Sequence, residues 1–109
     1  MKDIARTILE QLGGNRFIAM TGSKDFVSDG NTLHMTLRKN QSPANRLDIT
    51  LTWDDLYNMR FFQYTPGRLN KKTLEWKSEK ITEVKTFEGV TFDMLQDLFT
   101  EVTGMKTSL

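Results

Sequence analysis

Residues 60–77, RFFQYTPGRLNKKTLEWK, combine four aromatic rings with five basic side chains around a Pro-Gly pair. Single-strand nucleic-acid binders use this chemistry, because rings stack on bases while cations follow the phosphate backbone. Protein interfaces use it too, with aromatic and arginine anchors inside a more polar rim. A third interpretation is a structural hairpin whose lysines protect a sheet edge. The segment supports all three interpretations.

The alternation of side chains along a strand divides the first half of this segment into two faces. Tyr57, Met59 and Phe61 occupy one face and are expected in the core, so the next residues on the other face should point outward and be partly exposed. The loop after Gly67 would extend that outward face with basic side chains. The candidate partner-binding residues are Arg60, Phe62, Tyr64, Arg68, Lys71, Lys72 and Trp76. Alternatively, Phe62 lies beneath a helix, and Tyr64 and Trp76 form a cross-strand pair.

Other residues that could do chemistry lack the partners that chemistry needs. His34, the only histidine, alternates outward between two apolar residues, and its local sequence offers no nucleophile, orienting carboxylate or metal partner. Asp54 and Asp55 are typical of a turn. In GGNRFIAMTGSKD the serine precedes Lys24, whereas a phosphate-binding Walker loop needs the lysine first. Serines, including Ser108, lack a nucleophile-elbow setting. We therefore expect no enzyme, no cofactor and no bound metal.

The composition sets further bounds on function. The 109 residues carry 15 basic and 14 acidic side chains, so any attraction for nucleic acid must come from a local patch. The absence of cysteine excludes disulfides and thiolate chemistry. The charged N-terminal segment does not resemble a signal peptide, and no apolar run approaches a membrane span. We expect one compact domain, residues 1–109, without a membrane partner.

Apolar spacing predicts a helix at each end of the chain. Residues 3–12 form an amphipathic pattern that begins with Asp3, which is available as an N-cap, and stops at Gly13-Gly14. Residues 92–103 form another, from a cap at Thr91 to Gly104. Its apolar stripe consists of Met94, Leu95, Leu98, Phe99 and Val102. The short apolar segment 17–21 is expected to be a strand leading into a turn at residues 22–24.

The middle of the chain is expected to form strands. Alternating apolar residues occur at Leu33, Met35 and Leu37, and again from Leu47 to Trp53. Residues 65–68, Thr-Pro-Gly-Arg, favour a type II turn and a chain reversal. A long final strand should divide near Ser78. The predicted fold class is α+β: an antiparallel sheet of about five strands flanked by N- and C-terminal helices packed on one face.

Three stretches carry a family resemblance: ILEQLGGNRFIAMTGSKDF at residues 8–26, FEGVTFDMLQDLF at 87–99 and EVTGMKTSL at 101–109. They resemble small uncharacterised proteins carried by bacteriophages, prophages and other mobile elements. The resemblance implies a bacterial cytoplasm and a protein that serves a mobile element or opposes host defences. We therefore expect a non-enzymatic interaction protein whose partner is a host or phage protein, such as an inhibitor of a CRISPR effector. The alternative is a weak nucleic-acid-binding module that uses the basic and aromatic hairpin.

Overall fold

The computed structural model of the protein describes residues 3–107, and of Asp3 only the backbone. The helices are α1 (Asp3–Leu12), α2 (Gly14–Thr21) and α3 (Leu95–Thr103), the last preceded by a 3₁₀ turn (Phe92–Met94). The strands are β1 (Lys24–Asp29), β2 (Thr32–Thr36), β3 (Arg46–Leu51), β4 (Tyr57–Thr65), β5 (Arg68–Asn70), β6 (Glu75–Lys77) and β7 (Lys80–Val90).

Five of the strands form one antiparallel sheet in the order β1-β2-β3-β4-β7. The remaining two, β5 and β6, pair only with each other between β4 and β7. With two helices before the sheet and one after it, the predicted α+β class is confirmed.

The core lies between the helices and one face of the sheet. Inward residues of the strands alternate with outward ones, so Met35, Ile49 and Phe61 are fully buried while their neighbours are not. The helices contribute buried side chains at spacings of three or four residues, among them Ile8, Leu12, Phe17, Leu95 and Phe99. The opposite face of the sheet is left without helices.

The predicted strand at residues 17–21 is wrong, because this segment is helix α2. Gly13, at φ +125°, interrupts the first helix for one residue, and the chain then resumes a helical path. Phe17 and Thr21, four residues apart, point into the core, and the Thr21 hydroxyl donates to the Phe17 carbonyl at 2.8 Å. A short apolar run does not distinguish a buried strand from a buried helix.

The predicted reversal at residues 65–68 is also wrong. Thr65 pairs with Lys80 and Arg68 pairs with Lys77, so the same antiparallel register continues across the Pro-Gly pair. Gly67 does not adopt the positive φ that the third position of a type II turn requires. The chain reverses at residues 71–74 instead, where the Leu74 amide donates to the Asn70 carbonyl at 2.7 Å.

Trp53 does not continue the apolar face of β3. The strand ends at Leu51, and Trp53 lies in the following turn with 96% of its surface exposed. The Thr52 amide donates to the Leu56 carbonyl at 2.8 Å, which closes the turn before the alternation can reach residue 53.

Other predicted boundaries agree with the structure, except that α3 begins at Leu95 instead of Phe92 and Thr91 makes no side-chain capping hydrogen bond. The bounds of α1 match, the break near Ser78 separates β6 from β7, and Gly104 ends α3 in the left-handed conformation at φ +73°. Leu98 and Val102 are half-buried, whereas Met94 is exposed. The predicted capping by the side chain of Asp3 and the comment on Ser108 lie outside the described residues.

Replacement of Phe99 by alanine should destabilise the protein by roughly 3 to 5 kcal/mol, because it leaves a cavity in the centre of the core. The Phe99 ring is fully buried and lies 4.9 Å from that of Phe17 and 6.3 Å from that of Phe61, between centroids. The exposed Phe92 provides the control, with an expected change of about 0.5 kcal/mol or less on substitution by alanine. Urea unfolding measures both, and equal effects would contradict the assigned core.

Candidate functional site

The open face of the sheet, the face without helices, carries a row of charged side chains that crosses all five strands. From β1 to β7 the row alternates between acidic and basic side chains: Asp29, His34, Asp48, Arg60 and Glu83. The register creates this row, because it places His34 directly opposite Asp48, and Asp48 directly opposite Arg60. Opposite charges on facing strands stabilise a sheet, so the Asp48–Arg60 pair favours this register.

Two pairs of side chains in this row form short hydrogen bonds: His34 with Asp48, and Arg60 with Glu83. His34 Nδ1 lies 2.6 Å from Asp48 Oδ1, and Arg60 Nε donates to the two carboxylate oxygens of Glu83 at 2.7 and 3.0 Å. Asp48 joins the pairs, because its second oxygen lies 3.8 Å from a terminal nitrogen of Arg60. The hydrogen bond from Arg60 lowers the pKa of Glu83, and the same bond raises the pKa of Arg60.

His34 has the orienting carboxylate that its local sequence did not reveal. The side chain is 36% exposed, and Asp48, its partner, is 17% exposed. Strand pairing supplies this partner from 14 positions away, which local spacing does not indicate. The other ring nitrogen, Nε2, lies 3.7 Å from Asp29. The imidazole thus lies between two carboxylates, which orient the ring.

Phe62 is 8% exposed, so the expectation that this ring is available to a partner is wrong. No helix covers it. The Arg60 guanidinium lies over the ring at 4.3 Å from its centroid, and the neighbouring strands enclose the rest. Tyr64 is half-buried under Arg46, 5.3 Å from the ring centroid. These two rings border a shallow cavity of about 360 Å³ on the open face.

Tyr64 does not pair with Trp76. It faces Ile81 across the β4–β7 pair, while Trp76 faces Leu69. The Tyr64 hydroxyl donates to Glu79 at 2.8 Å, and this hydrogen bond raises the pKa of the phenol. Through this hydrogen bond Tyr64, at the end of β4, contacts Glu79 in the segment between β4 and β7.

That segment, residues 66–79, is here named the arm; it contains β5 and β6 and their connecting turn. Every residue from Arg68 to Lys80 is exposed, although the backbone pairing continues from the sheet. The molecule is elongated, with extents of 50 × 31 × 24 Å. A two-stranded ribbon gains little stability without a buried face, so the arm depends on the sheet for its conformation.

The arm has an apolar face and a charged face. Leu69 pairs with Trp76 on the first face, and Arg68 pairs with Lys77 and Asn70 with Glu75 on the second. Trp76 is 66% exposed, and its ring lies against Gly67: a Cβ at that position would come within 2.8 Å of the indole. A side chain at position 67 would therefore require the exposed ring to move.

A groove on the arm brings three cations together. Arg68, Lys71 and Lys77 line a depression of about 460 Å³ together with Leu69 and Asn70. No acidic side chain lines it. Among residues 3–107, no ion pair involves any of the three cations.

Leu74, in the turn of the arm, has φ +60°. This left-handed conformation costs a residue other than glycine roughly 1 to 2 kcal/mol. The side chain is 76% exposed, so burial within the protein does not offset the cost. Strain of this kind is concentrated at functional sites.

The seven candidate residues thus separate into two groups. Arg68, Lys71 and Trp76 lie together on the arm, with Lys72 exposed in its turn. Arg60, Phe62 and Tyr64 belong to the open face, where their contacts within the sheet occupy them. Sequence reasoning missed members of both groups: Leu69, Leu74 and Lys77 on the arm, and the pair His34–Asp48 on the open face. Of these, only Leu69 and Leu74 could have been found from the sequence, because they are apolar residues beside the basic loop.

Comparison with protein-family models, curated proteins and solved structures finds no match to this chain. Within the described residues, no helix is long and apolar enough to cross a membrane. The same part of the chain contains no cluster of three or more histidine, aspartate or glutamate side chains suited to a metal ion.

Replacement of Asp48 by asparagine should lower the free energy of unfolding by roughly 1 to 3 kcal/mol, because the largely buried carboxylate contacts two cationic or hydrogen-bonding partners. Glu10→Gln, an exposed change on α1, is the control for loss of one negative charge. Urea unfolding at neutral pH measures the difference. Equal stability of the two variants would show that the row contributes nothing measurable.

The Arg60–Glu83 pair should contribute to stability only where Glu83 is ionised. Because its folded pKa lies below the ordinary value of 4.5, this contribution is present above about pH 4.5 and is lost as the pH falls through the lowered value. The melting temperatures of wild type and Glu83→Gln should therefore differ at pH 7 and converge in acid. A difference that stays constant down to about pH 3 would contradict the pairing.

Proposed function

We propose that this protein is a non-enzymatic interaction protein that binds a macromolecular partner stoichiometrically through the arm. The observation that carries the proposal is the continuous exposure of residues 68–80 on a ribbon whose pairing extends the sheet. The ribbon presents an aromatic ring, apolar side chains and unpaired cations together, which are the side chains that anchor interfaces.

Two features of the arm that are unfavourable in the isolated protein support this function. Leu74 keeps a strained backbone while its side chain is exposed, and Arg68 faces Lys77 directly, although like charges on opposing strands repel. In the isolated protein neither feature improves stability. A partner that covers the leucine and neutralises the cations would offset both costs.

The open face supports a non-enzymatic role. Its imidazole–carboxylate pair lies in the charged row, with Nε2 directed toward Asp29, and among the described residues no serine, threonine or cysteine side chain lies at hydrogen-bond distance from the ring. The interactions between neighbouring members of the row give these residues a structural role, which is to favour the register of the five strands.

The resemblance of the chain ends to small proteins of phages and mobile elements supplies the biological setting of the proposal. In that setting the protein acts in the cytoplasm of a bacterial host, on a host or phage macromolecule. Inhibition of a host defence system, such as a CRISPR effector, is the specific form that we propose. Stoichiometric binding suits an inhibitor of this size because it requires a contact surface and no cofactor.

Capture from a bacterial lysate tests the use of the arm, with Trp76→Ala and Trp53→Ala as a matched pair. Both tryptophans are exposed, but only Trp76 lies on the arm. Trp76→Ala should weaken the captured complex by about 2 kcal/mol, or roughly 30-fold, whereas Trp53→Ala should leave it unchanged. Affinity for the captured, identified partner is the measurement.

Leu74→Gly sharpens this test because its effects on folding and binding should have opposite signs. Glycine accepts the positive φ, so thermal stability should not fall, while loss of the exposed side chain should weaken capture. Capture that is unaffected by both arm substitutions, or equally reduced by Trp53→Ala, would overturn the proposed function.

A further inference from the structure

The chemistry of the arm identifies an anionic partner. The arm carries four basic side chains, Arg68, Lys71, Lys72 and Lys77, against two acidic ones, Glu75 and Glu79. Glu79 accepts the hydrogen bond from Tyr64 at the base of the arm. The groove itself is lined by cations without any acidic residue. The net charge of the whole chain is only +1, so this local excess is a feature of the arm.

The size and composition of the groove suit phosphate groups. Arg68 and Lys77 come from the two strands and Lys71 from the turn, and all three line one depression of about 460 Å³. Lysine and arginine neutralise phosphates in nucleic-acid complexes, and the released counterions supply most of the affinity. A polymer with regularly spaced phosphates matches several cations at once.

Trp76 indicates that the polymer is single-stranded. Its ring lies against Gly67, and two thirds of the residue remains exposed. Every base offers a face for stacking on an indole, but only an unstacked base exposes that face. In a duplex the faces of the bases are already stacked on one another.

Trp76 does not line the groove, but its cross-strand partner Leu69 does, beside Arg68. A strand that contacts both Trp76 and the groove therefore passes over the edge of the ribbon at Leu69. We infer that the partner of the arm is single-stranded nucleic acid, with its phosphates in the groove of Arg68, Lys71 and Lys77 and one base stacked on Trp76. This inference rests on the proposed function, because it names the partner of the same arm.

The test uses the whole protein and defined probes. A labelled oligothymidylate of about 20 nucleotides is the single strand, a duplex of equal length is the second probe, and polyglutamate represents an acidic protein surface. Binding is measured by fluorescence anisotropy at several salt concentrations. The background substitution Trp53→Phe leaves Trp76 as the one tryptophan, so that quenching reports stacking on the arm.

The decisive variant is Arg68→Gln/Lys71→Gln/Lys77→Gln. Its matched control, Arg16→Gln/Lys39→Gln/Lys106→Gln, removes the same numbers of arginines and lysines from exposed positions outside the arm. All six side chains are exposed, so the circular dichroism and melting temperature of both variants should remain close to those of wild type.

Wild type should bind the single strand more tightly than the duplex, with quenching of Trp76. With about three phosphates neutralised, log affinity should fall with log salt at a slope of about −2, which is roughly 15-fold between about 50 and 200 mM. The groove variant should bind at least about tenfold more weakly at low salt and with a flatter slope, while the control variant should retain both the affinity and the slope of wild type.

Three results would overturn the inference: equal binding by the groove variant and its control, tighter binding of the duplex, or equal binding of polyglutamate without quenching. These outcomes are separable from failure of the proposed function. If the oligonucleotide does not bind but lysate capture still requires Trp76 after nuclease treatment, the arm is a protein-binding surface and only the present inference fails. If capture is independent of the arm, the proposed function fails as well.

Discussion

The antiparallel register between β4 and β7 is the constraint on which the rest of the structure depends. It joins Tyr57 to Val90 beneath the helices and continues, through the arm, to the pairing of Asn70 with Glu75. One side of this long hairpin supplies the core with apolar residues, and the other side supplies the open face. The same backbone pairing continues into the arm, but no arm residue packs into the core. The arm is therefore exposed on both faces.

The open face shows how a sheet without a second layer can cover its own apolar residues. Arginine side chains lie over the rings of Phe62 and Tyr64, so each cation covers aromatic surface while its charged end remains near solvent. Arg60 serves two purposes, because it also binds Glu83. The same residue types that suggest a binding surface in the sequence therefore stabilise the sheet when they meet across strands. On the arm they meet no such partners.

The sequence predicted those features that depend on local spacing. Helices α1 and α3, and the alternating strands β2 and β3, follow from apolar periodicity and from the glycines that stop helices. Segment 17–21 was misassigned because a run of five residues fits one turn of helix as well as a strand. Thr65-Pro66-Gly67-Arg68 was misassigned because pairing over the ribbon prevailed over the local preference for a turn.

The candidate site was predictable in part, for the same reason. The basic and aromatic content of the arm is visible in the chain, and four of the seven candidates lie on the arm. The pairing of His34 with Asp48, and the cover of Phe62 by Arg60, depend on register and on rotamers, which no local pattern encodes. The exposed Leu74 was missed because its positive φ depends on how the turn closes at Asn70.

Backbone amide mapping by NMR during titration with oligothymidylate tests the central claim most directly, because it reports every part of the surface at once. We expect chemical-shift changes confined to the arm, residues 66–79, and largest at Arg68, Lys71, Trp76 and Lys77, while the amides of His34 and Asp48 on the open face remain unchanged. Changes centred on the open face, with the arm unaffected, would contradict it.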